Sequence, residues 1–174
     1  MQAEKIRPCQ IQPDHQAYLL AQGAGTSAHS GRTLWAHLEG VHRILQVGKF
    51  ADYVCAAGLF HSVYGTQAFK TVTVEKTRRA EVQRLIGDKS ESLVMAFCEL
   101  PRPKLFETTL QRGTQRLPEW IAQLDTAYEK QQFLADLLAL ECANLAEQRT
   151  LHAFPLLAQH AQVLGILDRE GFLV

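Results

Sequence analysis

Apolar residues recur along this chain at helical spacing, and stretches rich in polar residues, Gly and Pro separate the recurrences. From Thr33 to Val47, Leu34, Leu38, Val41 and Leu45 fall at i, i+4, i+7 and i+11. That spacing sets them on one face of an amphipathic helix, which Gly48 ends. Tyr53 to Tyr64 is apolar nearly all round, as a central helix should be, with Asp52 as its cap and His61 in its last turn. Upstream, Pro13-Asp14 opens a short helix through about Gln22, stopped by Gly23, and residues 1–12 form an arm without clear periodicity. Residues 23–32 read as a small-residue loop without phosphate-loop spacing, and the alternation from Lys70 to Val74 is too short to support a sheet.

Downstream, the pattern predicts helices at about Thr77 to Ile86 and Lys89 to Leu100. Asp88-Lys89-Ser90-Glu91 is close to a capping box for the second of these, and Pro101 and Pro103 end it. Residues 101–118, with three prolines and Gly113, form a long connection with room for one short helix, the kind of segment that covers a site. Thr126-Ala127-Tyr128-Glu129 is a capping box for a long helix reaching about Gln148, and a last helix runs roughly from Phe154 to Asp168. The expectation is an all-α fold, one helical bundle spanning 1–174.

At 174 residues, with 47% hydrophobic, the chain can bury a core without staples. Lys plus Arg and Asp plus Glu number 18 each, so no global field favours nucleic acid or an anionic membrane. The cysteines Cys9, Cys55, Cys98 and Cys142 are widely spaced, and three sit in apolar helical patterns as small hydrophobes. With no signal-like N-terminal stretch and no run long enough to span a bilayer, a cytoplasmic home is expected.

Two histidines stand out from this background. At 100° per residue His37 falls inside the apolar arc of its helix, between Ile44 and Val41, and His61 lies on the central helix. A buried imidazole needs a partner for its nitrogens, either an ordinary carbonyl or hydroxyl in the core or a shared ligand. Glu141, Asn144 and Gln148, at i, i+3 and i+7, form a stripe that could address the same small volume or simply face water. Ser62 neighbours His61 about 100° away around the helix, and no Gly-x-Ser-x-Gly elbow exists, so a serine hydrolase is not favoured. Arg32, at the mouth of the His37 helix, could clamp an anionic group. Lys76, Arg78, Arg79 and Arg84 read as a solvated helix surface.

His37-Leu38-Glu39-Gly40-Val41, followed by Ala57-Gly58-Leu59-Phe60-His61-Ser62, resembles the first histidine and the His-Asp pair of histidine–aspartate (HD) domains, all-helical metal-dependent proteins dominated by phosphohydrolases. His29-Ser30-Gly31-Arg32-Thr33-Leu34, Phe60-His61-Ser62-Val63-Tyr64-Gly65-Thr66 and Glu141-x-x-Asn144-Leu145-x-Glu147-Gln148 resemble a family of HD-like domains from bacteria and plants. The resemblance implies His37 and His61 as metal ligands, with Ser62 and Asn144 where aspartates would stand. Losing both carboxylates argues against phosphohydrolase chemistry, because a dication would face neutral donors.

Two outcomes stay open on this reading. Glu141 restores a carboxylate beside His37 and His61, a set suited to iron(II) or manganese and to hydrolytic or oxidative chemistry on a polar or anionic metabolite. Alternatively the pocket is metal-free, without a cofactor, and reads a polar ligand in a non-catalytic domain. His37, His61, Ser62 and Glu141 are the catalytic candidates, and His29, Arg32, Tyr64, Thr66, Asn144 and Gln148 the binding candidates. The expected partner is a small molecule. The apolar last helix, Leu156 to Leu167, would also suit packing in a homodimer.

Overall fold

The computed structural model describes residues 9–29, 31–114, 117–123 and 129–174. The expected arm at 1–12 lies largely outside this set, as do Thr126, Ala127 and Tyr128 of the expected capping box. α1 (Pro13–Ala21) starts on its proline, as expected. A two-residue antiparallel hairpin follows, β1 (Ala28–His29) with β2 (Arg32–Thr33), inside the segment expected to be plain loop. α2 (Leu34–Val47) begins where the Thr33 hydroxyl accepts a hydrogen bond from the Ala36 amide at 3.2 Å. That side-chain cap satisfies one of the free donors of the first turn.

α3 (Asp52–Phe60) is shorter than the apolar pattern suggests. Asp52 is its first residue and Ala51 precedes it without a side-chain cap, so the acid does not cap the helix but sits in its positive first turn. His61 to Tyr64 are a turn that Thr73 and Val74 close by donating to the Val63 carbonyl, both at 3.0 Å. α4 (Arg79–Ile86), led in by a 3₁₀ turn over Lys76–Arg78, and α5 (Asp88–Glu99) follow. Asp88 makes no capping bond, and Glu91 is fully buried on other partners. The long connection at 101–118 holds one helix, as expected, α6 (Lys104–Arg112), and a further short one, α7 (Glu119–Ala122), begins just after it. α8 (Lys130–Glu147) is capped by Glu129, whose carboxylate accepts from the Gln131 and Gln132 amides at 2.8 Å each. α9 (Pro155–Val163) ends earlier than expected.

The architecture is all-α among the described residues, apart from the small hairpin and a bridge between Leu167 and Leu173. α2, α3 and α8 pack on one another, α5 lies against α3 and α8, and α9 joins α8 to α6. A Cβ on Gly58 would stand 2.5 Å from Leu45 Cδ1, so a bare backbone here is what lets α3 approach α2 so closely. Phe60, Phe97, Phe106 and Phe133 fill the core and are fully buried. α9 turns Leu157 and Ala161 into that core and leaves Val163 outward. All four cysteines are free thiols. No described helix is long and apolar enough to cross a membrane.

Candidate functional site

Three elements of this frame meet at one cavity. His37 projects from the apolar face of α2 and His61 follows directly on α3, both fully or almost fully buried. Their Nε2 atoms lie 3.0 Å apart. His61 Nδ1 donates to the Gly58 carbonyl at 2.8 Å, and His37 Nδ1 donates to Glu147 Oε2 at 2.5 Å. A carbonyl and a carboxylate only accept, so each imidazole carries its proton on Nδ1. In their neutral forms the two rings therefore aim bare Nε2 lone pairs at each other. Such an arrangement calls for something electrophilic between or beside them: a proton, a metal ion, or a donor group of a ligand.

The cavity in front of the pair has a volume of about 460 Å³, within the range of small-molecule sites. Ser62, Thr66 and His29 line it together with Glu141, Asn144 and Gln148. Phe69 and Phe154 supply apolar wall. Ser62 Oγ, Glu141 Oε1 and His29 Nδ1 are buried there without any hydrogen-bond partner in the structure. Orphaned buried polar atoms are costly, and three on one cavity mark a volume built for a polar guest. A larger hollow of about 640 Å³ beyond Glu147, lined by Arg32, Arg43 and Arg149, holds no such orphan.

The electrostatics of the site follow from burial. Desolvation, helped by repulsion from His37, holds the His61 pKa well below its ordinary value against the pull of the Gly58 carbonyl. Burial likewise lowers His29 to about 4, with His37 adding repulsion. The His29 ring stacks on His37 with centroids 4.1 Å apart and planes 10° from parallel. Burial raises the Glu141 carboxyl in spite of the Arg102 guanidinium, whose Nη1 donates to Glu141 Oε2 at 2.9 Å. Burial also pushes Glu147 upward, but its bond and attraction to His37, with Arg32 beside it, outweigh that and leave its pKa below the ordinary value.

Two expected binding residues stand elsewhere. Tyr64 does not line the cavity: its hydroxyl donates to Glu91 Oε1 at 3.1 Å, because α5 presents a buried carboxylate on that side of the turn. Arg32 is no open clamp either, since its guanidinium is paired with Glu147. Conversely, Arg102 is not among the residues singled out from the sequence, and Glu147 stands in the α8 motif there without an assigned role. Arg102 lies over the Phe97 ring at 3.5 Å, donates from Nε to the Phe97 carbonyl and reaches the cavity. Its position between two prolines was the signal available, a cation on a stiff connection opposite the carboxylate of the α8 stripe. For Glu147 the signal was an acid on the last residue of a helix, where helix physics favours a base. Among the described residues, no group of three or more His, Cys, Asp or Glu is arranged to hold a metal ion.

Residues 18–102 match a domain of unknown function, DUF6817. The matched stretch carries His29, Arg32, His37, His61, Ser62 and Arg102, while the α8 residues of the site lie beyond it. No curated protein and no solved structure matches the chain.

Proposed function

We propose that this chain is a small-molecule enzyme on an HD-like helical scaffold, acting on a polar metabolite at a centre made by His37 and His61. The observation that carries the reading is the meeting of two buried imidazoles, Nε2 to Nε2 at 3.0 Å, beside a cavity with three orphaned polar atoms. The order of contributions, one histidine from α2, one after α3 and polar residues from α8, supports the HD-like assignment.

The residues fit the imidazole part of a site for iron(II) or manganese. Metal-bound histidines commonly donate their other ring proton to a carbonyl or carboxylate, as both rings do here. Two ligands at right angles, each about 2.1 Å from one ion, stand roughly 3 Å apart. His37 and His61 would hold the ion, with the orphaned Glu141 Oε1 and Ser62 Oγ as candidate oxygen donors. The chemistry supplied there would be Lewis-acid polarisation of a substrate oxygen. Ordinary HD phosphohydrolysis is disfavoured, because Ser62 and Asn144 occupy the aspartate positions.

The rest of the work belongs to the chain's own groups. In the metal-free state neutral His61, with Nδ1–H held by the Gly58 carbonyl, has its Nε2 lone pair to receive a hydrogen bond from a ligand; with an ion bound, that lone pair serves the ion. Asn144, whose Oδ1 accepts from Gln148 Nε2 at 3.1 Å, has its amide N–H groups to orient a substrate acceptor. Phe69 and Phe154 give the cavity apolar surface for the non-polar part of a ligand.

Anaerobic metal analysis after mild purification, on wild type and on His37→Ala and His61→Ala, tests this reading. Bound iron or manganese that disappears in both variants, together with turnover, is expected. Absence of metal with ligand binding and turnover unchanged in the variants would overturn it. A metal-free, non-catalytic binding domain is the second reading, favoured by Arg102 neutralising Glu141, the carboxylate that would have to serve the ion. A ligand that raises the melting temperature but is recovered chemically unchanged would decide for it.

A further inference from the structure

We infer that Glu147 is the positioning residue of the site: it fixes which nitrogen of His37 carries the proton, and Gly40 is the berth that allows it to do so. The inference rests on the reading of His37 and His61 as the reactive pair. Glu147 is the last residue of α8, where the helix dipole disfavours an acid, so the helix does not explain it. Its neighbours do. One oxygen takes the Nδ1–H of His37 at 2.5 Å, and the other is paired with Arg32. Its side chain is 6% exposed.

Gly40 stands one turn after His37 on the same helix. A Cβ there would lie 2.7 Å from Glu147 Oε1 and 2.8 Å from its Cγ, closer than such atoms can approach. A glycine inside a helix costs about 1 kcal/mol relative to alanine, and here the missing methyl is the space the Glu147 carboxylate occupies. Arg32, on the hairpin strand just ahead of α2, holds the second oxygen and so sets the direction in which the first one points. Four residues from three elements thus serve one proton position. With Nδ1–H held by Glu147, Nε2 of His37 is left bare toward His61 and the cavity. Without Glu147 the ring is free to take the other tautomer, donate from Nε2 to His61, and close off its lone pair.

The experiment reads ring N–H protons by NMR on protein labelled with ¹⁵N-histidine, the His37 signal being assigned by its loss in His37→Gln. A downfield, slowly exchanging His37 Nδ1–H is expected in wild type. It is expected to vanish in Glu147→Ala and in Gly40→Ala, while the Nδ1–H of His61, held by Gly58, persists and reports an intact fold. Glu147→Ala with the His37 signal unmoved and His61 intact overturns the inference. Should Gly40→Ala lose both signals, it has unfolded, and Glu147→Ala decides alone. Titration with Mn²⁺ separates this from the functional reading. Affinity about 10–100-fold weaker in Glu147→Ala supports both. No Mn²⁺ binding by wild type, with the tautomer still lost in Glu147→Ala, upholds the positioning role and counts against the metal centre.

Discussion

Removing Arg102 is the sharpest perturbation of this site. The guanidinium is 8% exposed and its partner Glu141 fully buried, so Arg102→Leu strands a buried carboxylate that keeps only the weaker, uncharged help of Asn144. Breaking a buried pair from one side costs about 3–5 kcal/mol, and the lost stacking on Phe97 works in the same direction. For a chain of this size each kcal/mol shifts the melting temperature by about 2–4 °C, so a drop of roughly 6–20 °C is expected at pH 7. The loss has a pH signature. Burial raises the Glu141 pKa in the fold above its unfolded value, so between those two values the folded chain binds the extra proton and stability falls as pH rises. Arg102→Leu pushes the folded value further up and widens that window, making the variant relatively more stable near pH 5 than at pH 7.

The double variant Arg102→Leu/Glu141→Leu removes both charges and should recover the lost stability, since apolar replacement of a buried pair is neutral to stabilising by about 1–4 kcal/mol. It should still lose ligand binding, because both groups line the cavity. Urea unfolding of wild type, Arg102→Leu, Glu141→Leu and the double variant at pH 5 and 7 gives the cycle. A single-variant loss below about 1 kcal/mol, or a double variant as unstable as the single, would refute the claim that Glu141 depends on Arg102.

His29 and His42, lowered to about 4 by burial, take up protons when the chain unfolds between that value and about 6.5. The unfolded state binds more protons there, so stability falls as pH drops through that range; His42→Gln should flatten the slope, and an unchanged slope would contradict the burial argument. Tyr64→Phe should leave ligand binding intact while costing about 1–3 kcal/mol, because Glu91 Oε1 loses the Tyr64 hydroxyl; a binding defect without a stability loss would return Tyr64 to the cavity. Gly58→Ala should destabilise by about 1–3 kcal/mol through overpacking against Leu45, with Gly58→Ala/Leu45→Ala milder than the sum of its parts; additive losses would show that the two helices are not in contact there.

The helices of the site could be read from the chain because periodicity is a local property. Leu34, Leu38, Val41 and Leu45 share a face whatever surrounds them, and His37 lies among them for the same reason. Thr33 capping α2 and Pro13 opening α1 are equally local. The readings that failed concern competition with distant groups. Asp52 and Asp88 look like caps but are the first residues of their helices, and Glu91, the far end of a capping-box pattern, is bound instead by Tyr64 and Arg79.

What the helical pattern settled, then, was an all-α chain with an imidazole on the inner face of α2, another at the end of an apolar segment, and a polar stripe on α8. Periodicity orients a side chain only about its own helix axis, so it could not say that Nε2 of His37 would meet Nε2 of His61. That contact required α3 to close on α2 over the bare backbone of Gly58. The pairings of His37 with Glu147 and of Arg102 with Glu141 join residues 110 and 39 positions apart. They exist because burial makes an unpartnered charge or ring nitrogen expensive, and only the packing of α8 against α2 and against α5, which leads into Arg102, brings their partners within reach.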